Sequence, residues 1–388
     1  MKILQIHNEY QFRGGEDSVV EAERKLLLSG GNEVFSLIAH NKSIKQLFSE
    51  RKKYYEELRT LIDAHSFDVA HIHNVYHIIG NDVYELLASK NIPIIQTLHN
   101  FRFLCPAGLF MDNDYQICEK CSQGSFISCT IKKCYQKSYV KSFGMALLAK
   151  NGRNEVLRYV DKFIALNGFS KSKFIQNGFE SDKIVVKSNF IEFKQLMSSN
   201  YQFILYIGRL SPEKGIHTLI EALKNSNYSL KIAGSGEENY VNGLKKLAEK
   251  NTNIEFLGYI NGQEKEQLVI NSKFLIITSL CYENFPVSIL DAYSYGKPVI
   301  ASNIGGLPFI VKDQETGLLF EAGNAEALKE AINKMIENER FIELGKNGYE
   351  YYKENFTEKQ NYQQLMKIYE SAIAAKKLKN DTPKNNKA

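Results

Sequence analysis

The sequence predicts an α/β protein with two Rossmann-like domains. Short apolar segments of strand length alternate with helical segments along most of the chain, which is typical of parallel sheets covered by helices. The alternation lapses in the polar stretch SNFIEFKQLMSSN and then resumes, and 388 residues exceed one typical compact core. We therefore expect a first domain over residues 1–190 and a second over 201–355. A C-terminal helix over 356–378 and a disordered basic tail over 379–388 should follow.

Composition limits the class of protein further. The 44% hydrophobic and 24% charged content is that of a soluble globular protein, and a net charge of +5 is too modest to indicate a nucleic-acid-binding surface. The chain opens with a strand, MKILQIH, rather than with a secretory signal, and no apolar run is long enough to span a bilayer. We expect a cytoplasmic protein, and any membrane contact would be peripheral, at the inner face of the membrane.

In the first domain, polar residues and glycines follow the predicted strands. Strand Lys2–His7 leads through Gly14 and Gly15 into a helix. Glycines there allow close approach of a phosphate to the backbone, although a tight strand-to-helix turn explains them equally well. Two later strands end at His73 and His99, and His99 opens an irregular loop, which favours a functional role for this histidine.

Residues 101–139 lack a regular pattern and contain five of the six cysteines. Cys118 and Cys121 form a Cys-x-x-Cys pair, and Cys105 and Cys134 flank the pair, each with twelve residues between. A structural zinc ion held by these four thiols would fix a loop of this length. The other interpretation is a set of reduced, partly buried thiols, and the spacing does not decide between the two.

The second domain carries two basic residues on one loop. Strand Phe203–Ile207 ends in GRLSPEKG, which places Arg209 and Lys214 ahead of a helix. A guanidinium fork and a mobile ammonium can neutralise a diphosphate from two sides. Either cation alone would be an ordinary surface charge, but together they favour a diphosphate leaving group.

The segment Lys273–Ser302 predicts a strand, a loop, a helix and a second strand. The loop holds Glu283, the helix begins near Pro286, and its second turn carries Asp291. The start of such a helix offers free N–H groups to an anion, at the edge where open α/β sheets bind ligands. Exposed surface positions would explain the two acids equally well.

Four of these features resemble the family 4 retaining glycosyltransferases of the GT-B fold: the glycine pair, LHNFRFLCP, GRLSPEKG and ENFPVSILDA. The resemblance covers nearly the whole chain, and the cysteine-containing stretch is similar to a subset associated with bacterial surface polysaccharides. It implies two Rossmann-like domains facing across a cleft, with the C-terminal helix crossing back to the first domain. It also implies a retaining enzyme that moves a sugar from a nucleotide diphosphate sugar to a glycan or lipid-linked acceptor. No metal or other cofactor takes part in such chemistry.

The resemblance assigns roles to individual residues. Arg209 and Lys214 would hold the diphosphate, Glu283 the donor sugar and Asp291 the ribose hydroxyls. His99 would lie near the reacting sugar, and we expect it to be catalytic together with Arg209, Lys214 and Glu283. The other donor-binding residues would come from two loops: Gly14, Gly15, Asn284, Phe285, Pro286 and Val287. The family usually has Glu as its second acid, so Asp291 is one methylene shorter than the pattern.

The implied mechanism follows from charge. As the glycosidic bond breaks, negative charge grows on the diphosphate, and Arg209 and Lys214 stabilise it more in the transition state than in the ground state. The leaving phosphate oxygen can take the acceptor's proton, as in a front-face retaining mechanism, so no separate base is needed.

Two other functions compete with this interpretation. One is a related enzyme that hydrolyses or epimerises a nucleotide sugar, which the basic, aromatic loop 101–139 disfavours because such a loop suits an acceptor. The other is a non-catalytic, zinc-stabilised binding protein, against which the intact set Arg209, Lys214 and Glu283 argues. A thermal-shift panel of nucleotide diphosphates against nucleic acid would separate the binding protein from the enzymes.

Overall fold

The protein, seen in a computed structural model, forms two compact units. The structure describes residues 1–9, 14–40, 47–76, 78–196 and 200–381. The first unit comprises Met1–Gly108, Glu119–Asn189 and Glu358–Ala388, and the second comprises Leu109–Cys118 and Phe190–Thr357. Each unit contains one six-stranded parallel sheet, which confirms the predicted α/β class.

The sheet of the first unit is built from short apolar strands. They are β1 (Lys2–Glu9), β2 (Glu33–His40), β3 (Val69–Asn74), β4 (Ile94–Leu98), β5 (Lys162–Ala165) and β6 (Ile184–Val186). The strand order is β2-β1-β3-β4-β5-β6. The order changes direction at β1, so the carboxyl ends of β1 and β3 meet at the point where open α/β sheets bind ligands.

Six helices of this unit precede the second sheet. They are α1 (Gly15–Ser29), α2 (Leu47–Ala64), α3 (Asp82–Ser89), α4 (Ile127–Ile131), α5 (Tyr139–Tyr159) and α6 (Gly168–Gln176). Helix α4 lies inside the stretch predicted to be irregular. Helix α5 begins at Tyr139, where Ser138 caps it by accepting a hydrogen bond from the Lys141 amide.

The second unit repeats the architecture. Its strands are β7 (Phe203–Ile207), β8 (Leu230–Ala233), β9 (Ile254–Gly258), β10 (Ser272–Ile277), β11 (Val299–Ser302) and β12 (Gly317–Phe320). Its helices are α7 (Ile216–Ala222), α8 (Glu238–Ala248), α9 (Gly262–Asn271), α10 (Val287–Ser294), α11 (Ala325–Ile336) and α12 (Arg340–Asn355). The strand order is β12-β11-β10-β7-β8-β9, so the carboxyl ends of β7 and β10 are neighbours at the corresponding switch point.

The last helix, α13 (Glu358–Asp381), belongs to the first unit. Its residues Leu365 and Tyr369 are buried in one core with Ile3, Val69 and Ile95 from the sheet. The return of this helix to the first domain is therefore confirmed. It continues three residues beyond its predicted end at residue 378, and the rest of the predicted tail, 382–388, lies outside the described residues. None of the described helices has the length and hydropathy needed to cross a bilayer.

Candidate active site

Two loops at the carboxyl edge of the second sheet are joined by backbone contacts. Gly215 has a φ of +65°, and a Cβ atom there would lie 2.2 Å from the carbonyl oxygen of Thr278, so only glycine allows this close approach. The Thr278 hydroxyl donates to the carbonyl oxygen of Lys214 at 2.7 Å, and the Leu280 amide donates to that of Glu213 at 2.8 Å. The loop that follows β7 is thereby fixed against the end of β10.

This arrangement brings together Lys214 and Glu283, which the sequence places 69 positions apart. Lys214 Nζ donates to Glu283 Oε1, and the Ser279 hydroxyl donates to the same oxygen at 2.5 Å. Burial alone would raise the pKa of Glu283, but the Lys214 charge and these hydrogen bonds hold it below its usual value. Burial likewise opposes the charge of Lys214, yet Glu283 raises the pKa of the ammonium. Both groups are therefore ionised at neutral pH.

Arg209 stands beside this pair on the same loop. Its guanidinium contacts Glu213 at 2.6 Å, yet the side chain is 62% exposed. The hydroxyl of Ser211 also donates to Glu213, at 2.7 Å. The site thus holds two cations, each matched by a carboxylate, and the exposed guanidinium is accessible to an anion from solvent.

Helix α10 presents the second predicted acid. Pro286 is the residue before its first turn, and the buried ring of Phe285 packs edge-on against Phe356 with centroids 5.8 Å apart. Asp291 lies in the second turn, as predicted, and forms an ion pair with Lys265 from α9. Sequence reasoning did not identify Lys265, because the pair joins two helices rather than two positions on one.

The loop before α10 is closed by a glycine turn. Gly305 has a φ of +59°, and a Cβ atom there would lie 2.8 Å from Tyr282 Cα. The next amide, that of Gly306, donates to the Glu283 carbonyl at 2.8 Å. The backbone of Glu283 is thus held from one side while its carboxylate is held by Lys214 and Ser279. Asn284, the next residue, is buried.

The first unit carries a different cluster at the carboxyl ends of β3 and β4. His73 Nδ1 lies 2.9 Å from Nε2 of the half-buried His99. Glu23 Oε1, from α1, lies 3.4 Å from His73 Nε2 and 3.0 Å from His71 Nδ1. Lys187 Nζ contacts the other oxygen of Glu23 at 3.1 Å. We call these five residues the histidine cluster.

Burial sets the charges of the histidine cluster. It lowers the pKa of His73 to about 3, with a further contribution from His71, and lowers the pKa of His99 well below its ordinary value. For Glu23, burial acts in the opposite sense, but Lys187 and His71 hold its pKa well below the usual range. His73 and His99 are thus neutral at pH 7, and the ion pair of the cluster is Glu23 with Lys187.

The predicted glycine pair lies at the start of α1. The Gly14 amide donates to the Asp17 carboxylate at 2.7 Å, and the other oxygen of Asp17 lies 2.8 Å from His7 Nε2. Gly15 is the first residue of the helix and is exposed. Residues 10–13 of the preceding loop lie outside the described residues. Within the first unit, Gly14 therefore has a capping role that the sequence did not predict.

The histidine cluster contains potential metal ligands. Among the described residues, one set of three, Glu23, His71 and His73, has ligand atoms all within 4.8 Å of one another. Lys187 already contacts this carboxylate, and a cation there would meet the repulsion of a buried ammonium. We therefore assign the set a structural role.

The predicted cysteine ligands do not form a group of that closeness in the described residues. The thiol of Cys129, which was not predicted, instead shares a hydrogen bond with Cys134, and this hydrogen bond together with burial and the nearby Cys121 and Cys105 raises the pKa of Cys129. Cys118 lies in the segment Leu109–Cys118 of the second unit. Three of the four predicted thiols thus surround Cys129.

The architecture is that of the GT-B class. HepE from Anabaena, in complex with UDP-glucose, is 22% identical and aligns with a TM-score of 0.68 over 96% of this chain and 100% of that chain. The sucrose-phosphate synthase from Thermosynechococcus elongatus is 18% identical and aligns with a TM-score of 0.75 over 97% of this chain and 100% of that chain. At these identities, the likeness establishes the fold.

The sequence is also similar to known glycosyltransferases. Residues 187–358 match the family described as glycosyl transferases group 1. An uncharacterized glycosyltransferase, MJ1178 of Methanocaldococcus jannaschii, is 32% identical over 58% of this chain and 65% of its own length. The capsular polysaccharide biosynthesis glycosyltransferase CapM of Staphylococcus aureus is 26% identical over 54% of this chain and 56% of its own. The chain thus spans less than two thirds of each of these two relatives. The matched region, residues 187–358, includes Arg209, Lys214, Glu283 and Asp291.

Proposed function

We propose that this protein is a retaining glycosyltransferase that moves a sugar from a nucleotide diphosphate sugar to a glycan or lipid-linked acceptor in polysaccharide biosynthesis. The observation that carries the proposal is the ion pair of Lys214 and Glu283 next to the exposed Arg209. The match to the glycosyl transferases group 1 family and the relatives named for capsular polysaccharide and O-antigen synthesis support it.

In this proposal the diphosphate takes over the two cations. Arg209 and Lys214 turn from Glu213 and Glu283 toward phosphate oxygens, and both carboxylates keep a serine donor, Ser211 or Ser279. The cations interact more strongly as the leaving group gains charge, which lowers the barrier. Glu283 is then free to accept hydrogen bonds from sugar hydroxyls. Because the protein supplies the positive charge, the chemistry needs no metal ion.

For His99 we retain the role near the reacting sugar that the family resemblance implies. Its Nε2 already shares a hydrogen bond with His73 Nδ1, so Nδ1 is the ring nitrogen of His99 available to a hydroxyl. Burial keeps the pKa of both imidazoles low, so His99 acts as a neutral hydrogen-bonding group. The leaving phosphate oxygen accepts the proton of the acceptor hydroxyl.

A donor screen tests the proposal. UDP-sugars come first, because HepE was solved with UDP and UDP-glucose, followed by GDP- and dTDP-sugars. Each donor is incubated with the full chain and a bacterial lipid extract, and the released nucleoside diphosphate is measured. We expect release from one donor to depend on the extract, and Lys214→Ala to abolish it.

Release at the same rate without acceptor would support the hydrolase or epimerase alternative. No release from any donor, together with a melting temperature that nucleic acid raises and UDP does not, would support the binding-protein alternative. Either result overturns the transferase proposal.

We also propose a structural zinc ion in the cysteine loop, held by Cys105, Cys121 and Cys134 with a fourth thiol. Cys118 is the fourth ligand that spacing predicts, and Cys129 is the one that packs beside Cys134. Elemental analysis of the purified protein should find about one zinc per chain. The variant that loses it, Cys118→Ser or Cys129→Ser, identifies the ligand, and wild-type protein with well below one zinc per chain would dismiss the site.

A further inference from the structure

Helices α4 and α5 expose an unusual number of large apolar side chains. Six of the eighteen exposed large hydrophobic residues that the structure describes fall between positions 127 and 147. They are Ile127, Ile131, Tyr139, Val140, Phe143 and Leu147. Val140 is 82% exposed, and Ile127 and Ile131 are 68% and 67% exposed. We call these six residues the apolar patch. Such concentration on one surface is typical of an interaction site.

The first turns of α5 have their bulky residues on the outside. The helix buries small residues such as Ser142, Ala146 and Ala149, and Ala146 and Ala149 pack in one cluster with Cys129. The larger Val140, Phe143 and Leu147, at helical spacing, face away from that cluster. An amphipathic helix of a protein that meets only water has the opposite arrangement. The outward face of α5 is therefore suited to contact with an apolar environment outside the protein.

The charges within the segment that carries the patch have one sign. No Asp or Glu occurs from Lys120 to Asn154, while this segment holds seven basic residues. They are Lys120, Lys132, Lys133, Lys137, Lys141, Lys150 and Arg153. The whole chain has a net charge of +5, so the remainder of the chain carries 5 − 7 = −2. The segment that carries the apolar patch is thus strongly basic compared with the rest of the chain, although the guanidinium of Arg153 donates to the backbone carbonyls of Ser122 and Asn177.

We propose that the face formed by α4 and α5 binds the surface of an anionic membrane. The apolar patch would enter the boundary between headgroups and acyl chains, and the flanking lysines would contact anionic headgroups. A second copy of the chain fits this face poorly, because two segments of charge +7 would repel each other. The inference rests on the proposed function in one respect: a bilayer at this face brings a lipid-linked acceptor to the first unit.

Vesicle flotation of the full chain tests the proposal. The probes are vesicles of phosphatidylcholine alone and of phosphatidylcholine with about 30% phosphatidylglycerol. We expect binding to the anionic vesicles to be at least about tenfold tighter, and to weaken in high salt. Val140→Asp/Phe143→Asp should lower the affinity by roughly tenfold or more, and Lys137→Gln/Lys141→Gln by about fivefold for each lysine.

Leu247→Asp/Tyr259→Asp is the matched control, because these side chains of the second unit are 52% and 63% exposed. It should bind vesicles like the wild type. All variants should melt at the wild-type temperature and show the same stabilisation by the donor nucleotide, which separates loss of membrane binding from misfolding.

Equal binding to neutral and anionic vesicles, or unchanged binding of Val140→Asp/Phe143→Asp, would overturn the proposal. So would sedimentation velocity that shows a dimer which the same variant dissociates, since the patch would then be a contact between copies. Vesicle binding is measured without donor or acceptor, so a failed donor screen and a failed flotation experiment are distinguishable.

Discussion

The two sheets end in polar clusters that balance charge in different ways. In the first unit, the side chains of Glu23 and Lys187 are only 2% exposed, and Glu23 lies beside the neutral His73. In the second unit, the side chain of Lys214 is 23% exposed and that of Arg209 is 62% exposed. The Glu23 and Lys187 pair is sealed from water, whereas the ion pairs of Lys214 and Arg209 are open to it.

This difference in exposure indicates that the two clusters have different roles, one structural and one in ligand binding. A buried ion pair is stable only while both charges are present and their hydrogen bonds are satisfied. Such a pair therefore holds the side chains around it in one arrangement. Glu23 holds His71 and His73, and His73 in turn contacts His99. Ion pairs in contact with water can change partners at small cost. Lys214 and Arg209 can therefore exchange a carboxylate for a phosphate, whereas Lys187 cannot.

The largest expected effect comes from breaking the sealed pair. Lys187→Met removes the ammonium and leaves Glu23 buried without its counter-charge. We expect the free energy of unfolding to fall by about 3–5 kcal/mol, measured by urea denaturation of the full chain.

Lys183→Met is the control, because its pair with Glu180 is partly exposed and should contribute no more than about 1 kcal/mol. The double variant Glu23→Gln/Lys187→Met should recover part of the loss. A Lys187→Met variant as stable as Lys183→Met would show that the first cluster is open to water, like the second.

The next effect is on catalysis. Lys214→Ala should lower kcat/KM by about 10²- to 10³-fold, since a preorganised charge at the leaving group is lost. Glu283→Ala should lower kcat/KM by a similar factor. Both variants should remain folded, because the Lys214 and Glu283 pair is partly exposed.

Lys231→Ala, which removes an ion pair with Glu255 in the same unit, is the matched control and should keep wild-type activity. Wild-type turnover in Lys214→Ala or in Glu283→Ala would remove the assignment of the site.

The open cluster was predictable from the sequence and the sealed one was not. Arg209, Lys214 and Glu283 each lie in the loop that follows a strand, and parallel strands place such loops at one edge. Glu23 and Lys187 are 164 positions apart and meet only because α1 packs on the sheet. The one local signal is Glu23 itself, a charged residue in the buried stripe of α1 with Val19, Val20 and Leu26.

Spacing was also a weaker guide inside the irregular loop than along the sheets. It selected Cys118 as a partner of Cys134, but Cys129 packs beside Cys134 because the short helix α4 turns the chain back onto α5. The strands carry a period that fixes which residues share an edge, whereas a long loop without such a period leaves the neighbours of a cysteine undetermined.

The pH dependence of stability also tests the histidine cluster. The folded pKa of His73, about 3, lies below the value of about 6.5 for an unfolded histidine, and that of His99 is lowered in the same direction. The unfolded chain therefore binds more protons, and stability is lost as the pH falls below about 6.5. Between pH 6 and 5 we expect His73 to account for about 1 kcal/mol, and His99 contributes in the same direction.

Unfolding free energies of His73→Gln and wild type, measured across this pH range, give the contribution of His73. His73→Gln should remove the part of the dependence that His73 contributes, about 1 kcal/mol between pH 6 and 5. His40→Gln, a change at an exposed histidine of the same unit, is the control. A slope that His73→Gln leaves unchanged would contradict the neutral, sealed state of the cluster.

The smallest expected effect concerns Asp291, the residue that departs from the family pattern. A hydroxyl contact made equally in the ground and transition states affects KM alone, so Asp291→Asn should raise the donor KM by about tenfold with little change in kcat. Asp291→Glu should keep the KM within about threefold of the wild type if the helix already brings the carboxylate close enough.

The ion pair with Lys265 gives this last prediction its control. If Asp291 serves only to hold α9 against α10, then Lys265→Met and Asp291→Asn remove the same interaction and should raise KM equally. If Asp291 binds the donor, Lys265→Met frees the carboxylate and should leave the donor KM unchanged or lower. A double-mutant cycle of the two changes measures which of these applies, and equal single effects that do not add would reduce Asp291 to a packing residue. Arg209, Lys214 and Glu283 would then be the charged residues of the second unit still predicted to bind the donor.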